Sequence, residues 1–207
     1  GSVASPSFRV VYFQNRVSVE FFHILADGSG GMTFLRTLLK TYLSLLGHPV
    51  PQFDGAMDIA AAPDLREWRD DFVICDKPAE IHGFADKPAM QMRGMPPYEV
   101  PNRVLHFIFS TDKLRARAKE KNATVTALLL AHMMLACKAA SPRRVGKRRI
   151  QIQLPVNMRK FYPSETLRNF SMYCSIRLHR DQVTGIYDIL PEITRQMEAG
   201  AAEEQLD

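Results

Sequence analysis

Residues 18–34 read SVEFFHILADGSGGMTF, and within them His23, Asp27 and Gly28 have the spacing HxxxDG. An imidazole at the end of an apolar run, followed by a tight Asp-Gly turn, can be held in one rotamer and one tautomer in a half-buried cleft, as a general base requires. A plainer reading uses the same residues. His23 is then a hydrogen-bonded core histidine, Asp27 caps the next helix, and Gly28, Gly30 and Gly31 turn the chain. The pattern alone arises by chance in roughly a few per cent of chains this long, so its surroundings must decide.

Other chemistry is poorly supplied. The remaining histidines, at 48, 82, 106, 132 and 179, show neither HxxxH nor HExxH spacing, and Cys75, Cys137 and Cys174 form no CxxC pair. No metal site is expected, and the cysteines read as reduced thiols of an intracellular, cytoplasmic protein. Neither a GxSxG elbow nor a GxxxxGK phosphate loop occurs, which argues against hydrolase and nucleotide-triphosphatase chemistry. With a net charge of +5 and one dense basic cluster, RRVGKRR at 143–149, a nucleic-acid partner is not expected. The cluster reads as a solvated loop or a local anion attractor.

The elements that must position His23 follow from periodicity. FRVVYF and RVSVEFF flank Gln14-Asn15, which predicts a β-hairpin over 8–22. Val17, Val19 and Phe21 share one face, and His23 continues it. DGSGG breaks the strand, and MTFLRTLLKTYLSLLG repeats apolar residues with the period of an amphipathic helix that stops at Gly47. Residues 49–101, rich in proline, glycine and acids, read as a crossover with at most a short helical piece around 64–72. Beyond it, NRVLHFIFS predicts a strand, TDKLRARAKEKN a helix capped near Thr111 or Asp112, and TVTALLLAHMMLACKAA a buried helix capped at Thr124. His132 is expected in the core of that helix, with Met133 and Met134 as packing. Its apolar window is too short for a bilayer, which needs about 20 residues, so no membrane span is expected. RRIQIQLPVN and SMYCSIRLH then read as strands around a loop, and IYDILPEITRQMEAGAAEEQ as a helix interrupted by Pro191. With 207 residues, 46% hydrophobic and 24% charged, the chain should form one mixed α/β domain or two small ones. Its opening GSVASPS meets the first strand abruptly, as a cut chain would.

Three segments, in order, resemble the CoA-dependent acyltransferase superfamily, which includes chloramphenicol acetyltransferase, alcohol acetyltransferases, wax ester synthases and the condensation domains of nonribosomal peptide synthetases. They are SVEFFHILADGSGGMTFLRTLL, LRARAKEKNATVTALLLAHMMLA and IQLPVNMRKFYPSETLRNFSMYCSIRL. The resemblance implies an α/β (α+β sandwich) fold of chloramphenicol-acetyltransferase-like lobes, a mixed sheet covered by helices. Residues 1–48 would end the N-terminal lobe, 49–101 would link, and 102–207 would begin the C-terminal lobe. It further implies that His23 deprotonates an alcohol or amine attacking an acyl-CoA thioester. Coenzyme A would be a co-substrate, with no permanently bound cofactor, and the basic cluster could attract its phosphates. Asp27 would hold the loop that aims His23 by pairing an arginine. Arg159 is the candidate; a local pair with Arg16, or helix capping alone, stays open. Gly28 would turn the chain where a side chain would crowd the substrate channel, and Asn157 and Asn169 would line that channel or meet substrate.

Departures from the family pattern set limits. Phe22 stands where condensation domains usually carry a further histidine, which favours a free-standing O- or N-acyltransferase over peptide-bond formation; the family's later DFGWG motif is also absent. Family members are longer and place a sheet-bearing segment before the motif. The fragment alone is therefore expected to be inactive or barely active, and to expose apolar surface or self-associate to cover it. A rival reading is a non-catalytic, condensation-like module that docks a carrier protein.

Overall fold

A computed structural model describes residues 6–74, 88–91, 105–140 and 148–200. Two strands start the chain, β1 (Phe8–Phe13) and β2 (Arg16–Phe21), joined by Gln14-Asn15 with Gln14 at φ 52°. They pair antiparallel with Phe8 opposite Phe21 and Val10 opposite Val19. Val17, Val19 and Phe21 are half-buried while their neighbours in β2 are exposed, the alternation expected of a strand with one covered face. A lone hairpin is marginal in water. This one is anchored by Phe21 and Phe8, whose rings meet Phe34 edge-on at 5.6 and 5.5 Å.

Phe34 lies on α1 (Gly28–Leu45), which begins directly after Asp27. The GSGG run, expected as a break before the helix, is its first turn. The helix can start there because the Asp27 carboxylate accepts the N–H groups of Ser29 and Gly30, at 2.9 and 3.0 Å. At the other end Gly47 takes φ +83°, and the N–H groups of Gly47 and His48 return to the carbonyls of Ser44 and Leu43, a glycine-dependent stop.

By its contacts the chain divides into two compact units. The first holds the described residues up to 74 together with 156–172. Residues 49–74, expected as part of a crossover, fold here: the Thr37 hydroxyl accepts the Met57 N–H at 2.8 Å, and Leu167 donates its N–H to the Glu67 carbonyl at 2.6 Å. Residues 156–172, expected in the later lobe, also belong here, with Val156, Met158 and Phe170 buried. The reason in both cases is a set of buried polar groups that only these segments together satisfy.

The second unit contains α2 (Thr111–Lys119), α3 (Val125–Ala140) and α4 (Ile186–Gly200), with α3 packed against both other helices, and most of the paired strands β3 (Arg149–Asn157) and β4 (Ser171–His179). A parallel bridge from Ala89 to Arg149 gives β3 a further neighbour. Ser110, rather than Thr111 or Asp112, caps α2, and Thr124 caps α3. The helix α4 runs unbroken through Pro191. A proline in the second turn removes one hydrogen bond, and the buried Ile189, Leu190 and Ile193 hold the helix in place. His132 is exposed, not core; its Nδ1 lies 2.7 Å from the Leu128 carbonyl of its own helix, while Met134 is buried and Met133 half exposed.

Residues 105–110, expected in a strand, form none, and Ile108 is 98% exposed. Apolar alternation makes a strand only where another strand accepts its backbone groups, and among the described residues none does so. Apolar side chains of the hairpin and of α1 are exposed as well, including Tyr12, Phe13 and Leu45. Cys75, most of RRVGKRR and the start of NRVLHFIFS lie outside the described residues.

Candidate functional site

The strand β2 ends at Phe21, and the next four residues turn, closed by the Leu25 N–H on the Phe22 carbonyl at 2.9 Å. His23 sits on this turn. It does not continue the strand's apolar face, because the alternation stops two residues earlier, and its side chain is exposed. His23 borders a cavity of about 330 Å³ that Asp27, Gly28, Phe21, Met32 and Leu35 also line. A second cavity of about 420 Å³, chiefly apolar, shares Phe21 and Ala26 with the first and is lined further by Phe34 and Trp68.

Asp27 combines two roles that the sequence left as alternatives. One carboxylate oxygen caps α1, and the other accepts Arg159 Nη1 at 2.6 Å and the Phe170 N–H at 2.9 Å. Its side chain is 4% exposed and that of Arg159 15%. Arg159 has five N–H donors, and all are used. Nε and Nη2 reach the Thr166 carbonyl, Nη2 the Arg168 carbonyl at 2.9 Å, and Nη1 Asp27 and the Asn157 amide oxygen. The guanidinium therefore fixes a loop and a helix start together, which a lysine's point charge could not do.

Asn157 belongs to this junction: its amide donates to Ser29 Oγ at 3.0 Å and its oxygen caps the short turn at Met158–Lys160. Asn169, half-buried, accepts from Ser171 Oγ at 2.8 Å and borders neither cavity. Gly28 does not have positive φ, so turning the chain does not require glycine there; a side chain would project into open space. Within the DGSGG run the severe steric demand falls on Gly30, where a Cβ would lie 2.0 Å from the Leu167 carbonyl oxygen. It lets α1 rest on the loop backbone.

Sequence reasoning did not find Asp71. It is 1% exposed, bound by Arg69 Nε and by the Ser164 hydroxyl. Its only signal was a carboxylate in REWRDDF, within an otherwise irregular segment. The Arg69 contact, opposed by burial and reinforced by Ser164, holds its carboxyl below the ordinary aspartate range. At Asp27 burial pushes the other way, but the donors from Arg159, Gly30 and Phe170 outweigh it and hold the carboxyl below the ordinary 3.8. Folded aspartates with depressed pKa values bind fewer protons than unfolded ones, so their stabilisation is complete above the ordinary value and is lost as pH falls through the folded one. Acid unfolding should therefore steepen below about pH 4, and Asp27→Asn should flatten that dependence. Melting midpoints between pH 6 and 3 check it; equal slopes for the two proteins would count against the assignment.

The molecule is a mixed α/β protein in which a histidine-bearing turn meets a capped helix. No protein-family model matches the chain, and no curated protein sequence does. Its fold is similar to that of polyketide synthase associated protein 5 from Mycobacterium tuberculosis, with a TM-score of 0.56 and 16% identity over 94% of this chain and 51% of that one. The first condensation domain of the calcium-dependent antibiotic synthetase, solved with a substrate analogue, aligns with a TM-score of 0.49 and 18% identity over 91% of this chain and 43% of that one. The chain thus spans about half the length of the first structure, and at 16% identity the likeness to it is one of fold. Among the described residues no helix is long and apolar enough to cross a membrane.

Proposed function

We propose that the full-length protein carrying this chain transfers an acyl group from a thioester, acyl-CoA, to an alcohol or amine, with His23 as general base. The observation that carries the reading is an exposed imidazole beside a cavity, on a turn whose far end is pinned by a carboxylate with four donors. His23 removes the proton from the acceptor O–H or N–H as that atom attacks the thioester carbonyl. The tetrahedral intermediate expels the thiolate, which takes the proton back from the imidazolium. The products are an ester or amide and free coenzyme A, with no covalent enzyme intermediate. Asp27 and Arg159 touch no reacting atom; they hold the turn.

Acyl-CoA is here a substrate, consumed in each turnover, and coenzyme A is released as a product. Free-thiol release with acyl-CoA and a panel of alcohols and amines tests the reading, and acceptor-dependent release is the expected result. Absence of release with every acceptor, together with saturable binding of a phosphopantetheinylated carrier protein, would replace it with the non-catalytic docking module.

A further inference from the structure

A buried carboxylate is costly unless it is paired and hydrogen-bonded, so the surroundings of Asp71 show what it organises. One oxygen accepts from Arg69 Nε and the other from the Ser164 hydroxyl. Ser164 Oγ in turn accepts the Thr166 N–H at 3.1 Å, and the Thr166 hydroxyl donates to the Arg69 carbonyl at 2.6 Å. Residues 67–71 thus grip 164–167 by three hydrogen bonds, from the Ser164 hydroxyl to Asp71, from the Thr166 hydroxyl to the Arg69 carbonyl and from the Leu167 N–H to the Glu67 carbonyl. The gripped segment presents the Thr166 carbonyl to Arg159 and sets the Leu167 carbonyl against Gly30 in the first turn of α1. A second route runs beside it: Phe72 meets the Phe170 ring edge-on at 5.1 Å, and the Phe170 N–H binds Asp27.

We propose that Asp71 is a positioning residue for His23, acting through the 164–170 segment, Arg159 and Asp27. This rests on the acyl-transfer reading above. Shifting 164–167 moves an acceptor that takes two contacts from Arg159 and also the backbone on which α1 rests. Close-packed interiors pass on such shifts, and a catalytic group misplaced by about 1 Å costs on the order of 10²-fold in rate.

The test uses the full-length protein. Asp71→Asn sets an amide donor against one of its two donor partners, and Ser164→Ala, which removes the bond to Asp71 and the acceptor of the Thr166 N–H but leaves Asp71 paired with Arg69, is the second variant should the first not fold. Ile193→Val, in the buried face of α4 within the second unit, serves as a control for general destabilisation. The expected result is a kcat about 10- to 100-fold lower in Asp71→Asn, with KM little changed, and a smaller loss in Ser164→Ala. Amide hydrogen exchange at Ser29 and Gly30, the N–H groups on Asp27, should quicken in both variants beyond the control. Exchange at these two amides no faster than in the control overturns the coupling, whatever the turnover. Faster exchange with native kcat overturns the positioning role. If the native protein transfers no acyl group, the exchange measurement still reports the coupling, so failure of the acyl-transfer reading is told apart from failure of the Asp71 link.

Discussion

Replacing His23 by alanine in the full-length protein is expected to lower acyl-transfer turnover by about 10²- to 10⁴-fold, the range that a positioned general base supplies. The loss should fall on kcat, because the imidazole acts on a proton that moves in the transition state, while acyl-CoA binding is carried by other groups. Folding should be almost unaffected. The side chain is exposed on a turn, and substitutions at such positions usually stay within about 0.5 kcal/mol of the native stability. His23→Gln, which keeps a polar side chain but removes the base, should behave like the alanine variant. Thiol release and the melting midpoint, measured together, decide it. A variant that turns over within a fewfold of native, at native stability, would remove His23 from the chemistry.

The second large effect belongs to the pair that holds the turn. Asp27→Ala is expected to destabilise the protein by about 3–5 kcal/mol, since it leaves the Arg159 charge buried without its partner and also removes a helix cap, itself typically worth about 1 kcal/mol. Arg159→Ala should be comparably costly, because it strands Asp27 and the carbonyls of Thr166 and Arg168. The double variant should be far less unstable than the sum, with a coupling of about 0.5–3 kcal/mol for groups in one network. Arg159→Lys separates charge from geometry: it keeps the attraction but cannot satisfy the acceptors grouped around the guanidinium. Denaturant unfolding of the four proteins measures the cycle. Additive losses would mean that Asp27 acts only as a helix cap.

The HxxxDG spacing, the hairpin, the helix starting beside it, and β3 and β4 were legible in the sequence because each depends on neighbours two to four positions away. Val17, Val19 and Phe21 mark a half-covered strand by alternation, and Thr124 marks the start of α3 through a bond to Ala127 three residues on. Arg159 could be named as a partner for Asp27 only through resemblance, and Asp71 could not be named at all. Arg159 lies 132 residues from Asp27, and Asp71, though Arg69 beside it is one partner, takes its other from Ser164, 93 residues away. The same limit explains 105–110, whose apolar pattern fits a strand but whose backbone has no strand to bind among the described residues, and 49–74, whose irregular composition hid a fixed place against α1 and the 164–170 loop. Local periodicity records which face of an element is apolar. Only tertiary structure decides which distant groups satisfy a buried charge, because burial removes the water that would otherwise have done so.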